Sequence, residues 1–173
     1  VAGNYLRETG EPATDYLAWL KEAPVEALDH GETRRESMYY MIRRSAERID
    51  DVGKDILIVL GQMAYLPVPV WAVAELLDWE PRKLNLYLRE MVRYGLIKFE
   101  EGEIVCTHAL VHGYARDKHM GERWSQDDML MRLFEWTEAS YKAWQKETPP
   151  NFANCDALRP HAMVLLERLE ERE

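Results

Sequence analysis

Residues 70–107 read VWAVAELLDWEPRKLNLYLREMVRYGLIKFEEGEIVCT, and this stretch decides the fold. It begins with a short apolar helix of about two turns. A second helix is expected from Pro81, because proline fits the first turn of a helix, where its missing N–H leaves nothing unpaired. This second helix should run through Gly95 and bury four apolar side chains, Leu84, Leu88, Met91 and Val92.

Two short β-prone runs, 96–99 and 104–107, close the stretch. The residues between the two runs read EEGE, and Gly102 can adopt the positive φ that a tight hairpin turn needs. We therefore expect a β-hairpin directly after the second helix.

A longer apolar segment, KDILIVLGQMA, precedes this stretch, and its residues 56–60 could form a buried strand when taken alone. Asp50 and Asp51 are candidate helix caps, and the apolar pattern continues through Met63 and Ala64, so a buried helix is favoured. YLPVPV then predicts a turn punctuated by prolines. Helix, turn, short helix, helix and hairpin is the order of a winged helix-turn-helix, in which the hairpin is the wing.

Helical segments should flank this unit on both sides. Gly10 is expected to end one helix and Pro12 to begin the next, and residues 33–49 form a further candidate helix. After the wing, Ser125 and Asp128 have the spacing of a capping box at the start of a helix.

A loop over 147–156 and a last helix over 157–172 complete a predicted antiparallel helix pair, with Met163, Val164, Leu165, Leu166 and Leu169 as the apolar positions of the last helix. The fold class is thus mainly α, a winged helix-turn-helix domain with a small β-hairpin wing, flanked by helical segments. We expect three parts: the end of a preceding helical domain, the winged-helix domain and a helical hairpin, at 1–32, 33–120 and 121–173.

The composition narrows the classes of function. The chain has 173 residues, 47% of them hydrophobic and 31% charged, which is typical of a folded protein. Its net charge of -9 disfavours nonspecific attraction to nucleic acid or anionic lipid. No apolar stretch approaches the length of a membrane span, and the N-terminus lacks the pattern of a signal peptide, so we expect no membrane partner.

Cysteine usage bears on the cellular compartment. Cys106 and Cys155 are far apart and lie in unlike contexts, so neither a disulfide framework nor a zinc site is expected, and a reducing cytoplasm is favoured. The chain lacks an initiator Met and opens within an apparent helix, so we also expect a piece of a longer protein.

The segment LGQMAYLPVPVWAVAELLDWEPRKLNLYLREMVRYGLIKFEEGEIVCTHALVHGYAR resembles the winged-helix region of NB-ARC ATPases of the STAND class. That class includes bacterial signalling regulators with C-terminal tetratricopeptide repeats. AGNYLRETGEPATDYLAWLKEAPVEALDHG is similar to the end of the helical domain that precedes the winged helix there, and residues 126–173 are similar to the helices that lead into the repeats.

The resemblance implies two partners in cis, an upstream nucleotide-binding domain and downstream helical repeats. It also implies that ADP or ATP with magnesium binds the parent protein and not this chain. VGKD at 52–55 contains a Gly–Lys pair, but Arg48 stands where the phosphate-binding loop needs a glycine, and Asp55 stands where it needs Ser or Thr. We expect no cofactor and no ATPase activity in this chain alone.

His108 is the candidate nucleotide-sensing residue. The family has a Met-His-Asp motif after the wing, and its histidine approaches the β-phosphate of bound ADP. Thr107, His108 and Ala109 occupy the matching positions, and Ala109 lacks the carboxylate of the motif. The residues alone leave another interpretation open, in which His108 caps or packs at the strand-to-helix junction and His112 is an ordinary helix residue.

Metal binding and catalysis find little support in the sequence. A spacing of four can place His108 and His112 over one metal ion, but the sequence offers neither a Glu directly after His108 nor a third ligand nearby. Cys106 stands two residues before His108, without an oxyanion site or a third partner that would indicate a nucleophile. We expect no metal site and no catalytic set.

DNA binding is the alternative function. The second helix of the helix-turn-helix carries four candidate phosphate contacts, Arg82, Lys83, Arg89 and Arg93. They could equally form a solvated helix face, since Glu80 and Glu90 accompany them, and Glu100, Glu101 and Glu103 on the wing would be repelled by a DNA backbone. A third alternative is a non-catalytic scaffold that joins an ATPase core to a repeat array. A basic surface on residues 81–95 would favour DNA, whereas an apolar patch beside His108 would favour a nucleotide-binding domain.

Overall fold

A computed structural model describes residues 2–22, 31–117 and 124–171. These segments form nine helices and one three-stranded antiparallel sheet, which confirms a mainly helical fold with a small β-hairpin wing. In chain order the elements are α1 (Ala2–Thr9), α2 (Ala13–Glu22), α3 (Gly31–Ala46), α4 (Asp51–Gln62), β1 (Val68–Pro69), α5 (Val70–Leu77), α6 (Pro81–Arg93), β2 (Ile97–Glu100), β3 (Glu103–Cys106), α7 (Ala109–Asp117), α8 (Gln126–Lys146) and α9 (Phe152–Glu170).

Helix α4 lies at the centre of the fold, and the helix favoured for its apolar run is confirmed. Asp50 caps its start, because the carboxylate accepts a hydrogen bond from the Gly53 N–H at 2.8 Å. Residues 56–60 are all buried, since α6, α7 and α8 pack around α4. A helix enclosed in this way is apolar on every side, which explains why its sequence resembles a buried strand.

The backbones of α4 and α7 approach each other closely at Gly61. A Cβ atom on Gly61 would lie 2.5 Å from the carbonyl carbon of Ala115 and 2.6 Å from the amide nitrogen of Arg116. From α9, the Arg168 guanidinium donates a hydrogen bond to the Gly61 carbonyl at 3.1 Å. Only glycine fits at this contact, which therefore fixes the position of α7 along α4.

Helices α5 and α6 form the helix-turn-helix pair. Asp78 ends α5 in the left-handed conformation (φ 57°), and Pro81 is the first residue of α6, as expected. Leu84, Leu88 and Met91 are buried, but the expected burial of Val92 is wrong, because its side chain is 38% exposed. Val92 lies about 100° around the helix from Met91 and so leaves the buried stripe.

The C-terminal end of α6 also differs from the prediction. The helix ends at Arg93 and does not run through Gly95, which has a positive φ of 70° and begins the turn into β2. A left-handed glycine just beyond the last residue is a common way to end a helix.

The wing has one strand more than expected. Strands β2 and β3 pair antiparallel as predicted, each displaced by one residue from its expected bounds, and Gly102 has φ 82° in the turn. YLPVPV was expected to be a turn only, but Val68 and Pro69 pair with Ile104 and Glu103, so β3 becomes the central strand. A strand of two residues, one of them proline, carries no alternating pattern by which it could be recognised.

Helices α1 and α2 pack on α3 around the side chain of Arg44. The Arg44 guanidinium lies 4.3 Å from the centroid of the Trp19 ring and also faces the rings of Tyr5 and Tyr16. It forms an ion pair with Glu11 at 2.9 Å. Gly10 ends α1 with φ 67°, as expected, whereas α3 ends at Ala46 and not at residue 49. The chain must turn there, because Asp50 already caps α4.

Helices α8 and α9 form the expected antiparallel pair, and Leu130, Leu133 and Leu165 join the central core. Helix α9 begins at Phe152, inside the loop predicted for 147–156, because Asn151 caps it by accepting the Asn154 N–H. Met163 and Leu166, which were expected on the apolar face, are 54% and 45% exposed, since Leu158, His161 and Leu165 are the residues that point inward.

The expected boundary between residues 120 and 121 lies outside the described residues. None of the helices in the described segments combines the length and the apolarity that crossing a bilayer requires.

The contact at Gly61 gives a direct test of the packing. Gly61→Ala should lower the free energy of unfolding by about 1–3 kcal/mol, because the new methyl group must displace the backbone of α7. Gly3→Ala in α1 is the matched control, since nothing lies within 4 Å of the added Cβ and alanine favours a helix. Urea unfolding of both variants measures the difference, and a Gly61→Ala protein as stable as wild type would contradict this packing.

Candidate functional site

Two hydrogen bonds connect the junction between β3 and α7 to the turn that follows α6. The Thr107 hydroxyl donates a hydrogen bond to the Gly95 carbonyl at 2.8 Å, and the Thr107 N–H donates to the Leu96 carbonyl at 3.0 Å. These bonds fix the backbone immediately before His108. This role of Thr107 could not be predicted from the sequence, because a Thr at a strand end is common.

His108 caps α7 and keeps its side chain exposed. Its Nδ1 atom accepts a hydrogen bond from the Leu110 N–H at 3.1 Å, and its carbonyl accepts the Val111 N–H at 2.9 Å. Since Nδ1 is an acceptor, the proton of the neutral imidazole is on Nε2. The exposed ring therefore offers an N–H donor to a ligand while it caps the helix.

A groove of about 400 Å³ lies beside His108. Its walls come from α1, α3, α7 and the Gly95 turn, and most of the lining is apolar and includes Met41, Ile42, Leu110 and Val111. His108, Thr107 and Asn4 supply the polar side chains. The structure thus brings an exposed histidine and an apolar cleft together, which the sequence could not show because the walls come from distant segments.

Helix α1 rests on the same turn that holds Thr107. A Cβ atom on Gly95 would lie 2.7 Å from Nδ2 of Asn4, so the Asn4 side chain occupies the space that a side chain at residue 95 would need. One turn farther along α1, the Glu8 carboxylate accepts a hydrogen bond from Arg93 Nε at 2.9 Å and forms an ion pair with Nη2 at 2.8 Å. Helix α1 is therefore fixed as one wall of the groove.

His112 does not line this groove, and its role is structural. Its Nε2 atom lies 2.9 Å from the Met63 carbonyl, and burial lowers the pKa of the imidazole. In α9, the Nε2 atom of His161 lies 3.1 Å from the Pro67 carbonyl, and burial lowers its pKa as well. The two neutral rings hold both ends of the connector between α4 and β1.

Among the residues that the structure describes around His108, neither a metal site nor a thiol nucleophile forms. Across the described segments, no group of three or more His, Cys, Asp and Glu side chains is arranged to hold a metal ion. Both cysteines are free, and burial raises the pKa of the Cys106 thiol to about 12. A thiol with that pKa stays protonated at neutral pH and is a poor nucleophile.

The four basic residues of α6 do not share one environment. Arg82, Lys83 and Arg89 are exposed, and Lys83 lies 3.7 Å from Glu80. Arg93 is already paired with Glu8, so it is less available to a phosphate than the sequence indicates. On the wing, the three glutamates at 100, 101 and 103 are exposed. The helix-turn-helix therefore presents a basic helix next to an acidic wing.

No protein-family model, curated protein or solved structure matches this chain. The family resemblance therefore stays a prediction, and the site is argued from its geometry.

The buried His161 and the partly buried His112 predict how stability depends on pH. Because the folded pKa values lie below the ordinary value of about 6.5, the unfolded chain binds protons first as the pH falls. The free energy of unfolding should therefore be highest above that pH and decrease as the pH falls through about 6.5 toward the lowered pKa values of the folded state, by at most about 1.4 kcal/mol per pH unit for each histidine.

His161→Gln isolates one of these contributions, because its amide N–H can still donate to the Pro67 carbonyl but does not titrate. Urea unfolding across this pH range should give a shallower dependence for the variant than for wild type. Parallel curves would show that His161 does not contribute.

Proposed function

We propose that this chain is the regulatory, nucleotide-state-sensing winged-helix module of a STAND/NB-ARC signal-transduction ATPase. The observation that carries the proposal is the exposed His108 at the edge of an apolar groove. The module packs on an upstream nucleotide-binding domain in cis, and its apolar groove receives part of that domain's surface. The downstream helical repeats, also in cis, follow α9, and the parent protein works in the cytoplasm.

His108 reads the nucleotide by contacting the terminal phosphate of ADP. Its Nε2–H donates to a phosphate oxygen, and the negative charge of the phosphate strengthens that bond. The N-terminus of α7, which His108 caps, adds a weak positive field at the same place. A charge-assisted hydrogen bond of this kind contributes about 1.5–3 kcal/mol. That difference shifts an equilibrium between closed and open states by about ten- to a hundredfold.

Nucleotide and magnesium belong to the upstream domain, and this chain does not hydrolyse ATP. The Gly–Lys pair at 53–54 lies in the first turns of α4, where Gly53 bonds the Asp50 cap and Lys54 pairs with Asp51 at 2.9 Å. Such a helical segment has no loop of free N–H groups to surround a phosphate. The role of the chain is mechanical: it stabilises the closed state with ADP bound and moves as a rigid body on exchange.

A DNA-binding regulator is the alternative, and the exposed Arg82, Lys83 and Arg89 on α6 favour it. The acidic wing opposes it, because a wing lies near the DNA backbone in winged helices that bind DNA, where its carboxylates would be repelled. A scaffold without nucleotide sensing would need neither the exposed imidazole nor the groove.

The sensing role predicts the behaviour of two substitutions at one position. His108→Ala in the parent should raise the ADP off-rate by about ten- to a hundredfold, because the phosphate contact is lost. His108→Asp should raise it at least as much, since aspartate repels the phosphate, although it is a good helix cap. Stopped-flow release of a fluorescent ADP analogue measures both.

The melting temperature of this chain separates capping from sensing. His108→Ala loses the hydrogen bond from the Leu110 N–H, so its free energy of unfolding should fall by about 1 kcal/mol and its melting temperature should fall with it. His108→Asp should retain the stability of the wild type, because aspartate also caps a helix. His112→Gln, which keeps a donor for the Met63 carbonyl, should leave ADP release unchanged. A wild-type off-rate for His108→Asp would reduce His108 to a helix cap and end the sensing proposal.

A further inference from the structure

The outer face of α6 has one exposed apolar side chain whose neighbours on the helix are mostly cationic. Leu86 is 67% exposed, which is the largest exposed fraction among the large hydrophobic residues described. Residues three, four and seven positions away share its face of the helix, and here they are Arg82, Lys83, Arg89, Glu90 and Arg93. This α6 face, residues 82–93 around Leu86, thus has four cations and one carboxylate.

One end of the α6 face already binds a helix that carries a carboxylate. Glu8 of α1 accepts a hydrogen bond from Arg93 and forms an ion pair with it, and Asn4 of the same helix packs against Gly95. Arg82, Lys83 and Arg89 lie on the same face as Arg93, closer to the N-terminus of α6. Within the described segments, the only ion pair these three residues form is the long contact between Lys83 and Glu80.

We propose that the α6 face is a docking surface for an acidic amphipathic helix of a partner protein. The partner helix places further carboxylates along the α6 face, beyond the one that Glu8 supplies. Its apolar side chain contacts Leu86, and its carboxylates lie opposite Arg82, Lys83 and Arg89. Burial of Leu86 supplies the apolar contribution, and the arginines supply planar donors that match carboxylates. This role is separate from nucleotide sensing, because the α6 face does not include His108.

The same face suits a nucleic acid less well. Leu86 stands at its centre, where a phosphate backbone offers nothing apolar, and Glu90 stands beside it. Within the described segments, the two cations of this face that form ion pairs, Lys83 and Arg93, both pair with carboxylates, those of Glu80 and Glu8.

The probe is a synthetic helical peptide with leucines along one face and glutamates on both sides of them. Isothermal titration with the full 173-residue chain should detect binding that weakens as salt is raised, because the ionic part is screened. Leu86→Ala and Arg89→Ala should each weaken the binding by about tenfold. Both side chains are exposed, so the melting temperature should not change.

Leu17→Ala and Arg43→Ala are the matched controls, since Leu17 is 53% exposed on α2 and Arg43 is exposed on α3, both away from the α6 face. They should bind the peptide like wild type, and a peptide with lysines in place of the glutamates should not bind. The proposal is overturned if the acidic peptide does not bind, or if Leu86→Ala and Arg89→Ala bind it like wild type. Binding of duplex DNA that Arg89→Ala abolishes, without peptide binding, would assign the face to nucleic acid instead.

Discussion

The backbone contact between α4 and α7 at Gly61 is the constraint on which the site depends. Because a side chain at residue 61 would collide with Ala115 and Arg116, α7 has one position along the central helix. The start of α7 is thereby fixed, and the hydrogen bonds of Thr107 to the turn after α6 fix the residue before it. His108 lies between these two restraints. Its exposure is a consequence of packing on both sides and not of a loose loop.

Two roles of His108 are compatible because they use different ring atoms. Nδ1 accepts the Leu110 N–H and caps the helix, and this bond leaves the proton on Nε2, where a ligand can accept it. The groove adds an apolar surface next to that donor, with α1 as one wall. The same helix pairs Glu8 with Arg93 and so joins the His108 groove to the α6 face. An event that moves α1 would alter both surfaces.

The sequence predicted the elements with strong local signals and missed the features that depend on distant residues. Asp50, Pro81 and Ser125 mark helix starts by local chemistry, and all three lie where expected. Strand β1 was missed because its two residues have no period, and its pairing with β3 is a long-range contact. The groove has the same origin, since its walls lie on α1, α3 and α7. His108 itself was found through the family resemblance, whereas its capping bond required the position of α7.

The measurement that tests the account most directly is which nitrogen of the neutral His108 ring carries the proton. In this chain, ¹⁵N NMR of the neutral imidazole should show a bare Nδ1 and a protonated Nε2, because the cap accepts at Nδ1. A proton on Nδ1 in the wild-type chain would contradict the account, since His108 would then neither cap α7 in this way nor present Nε2–H to a phosphate.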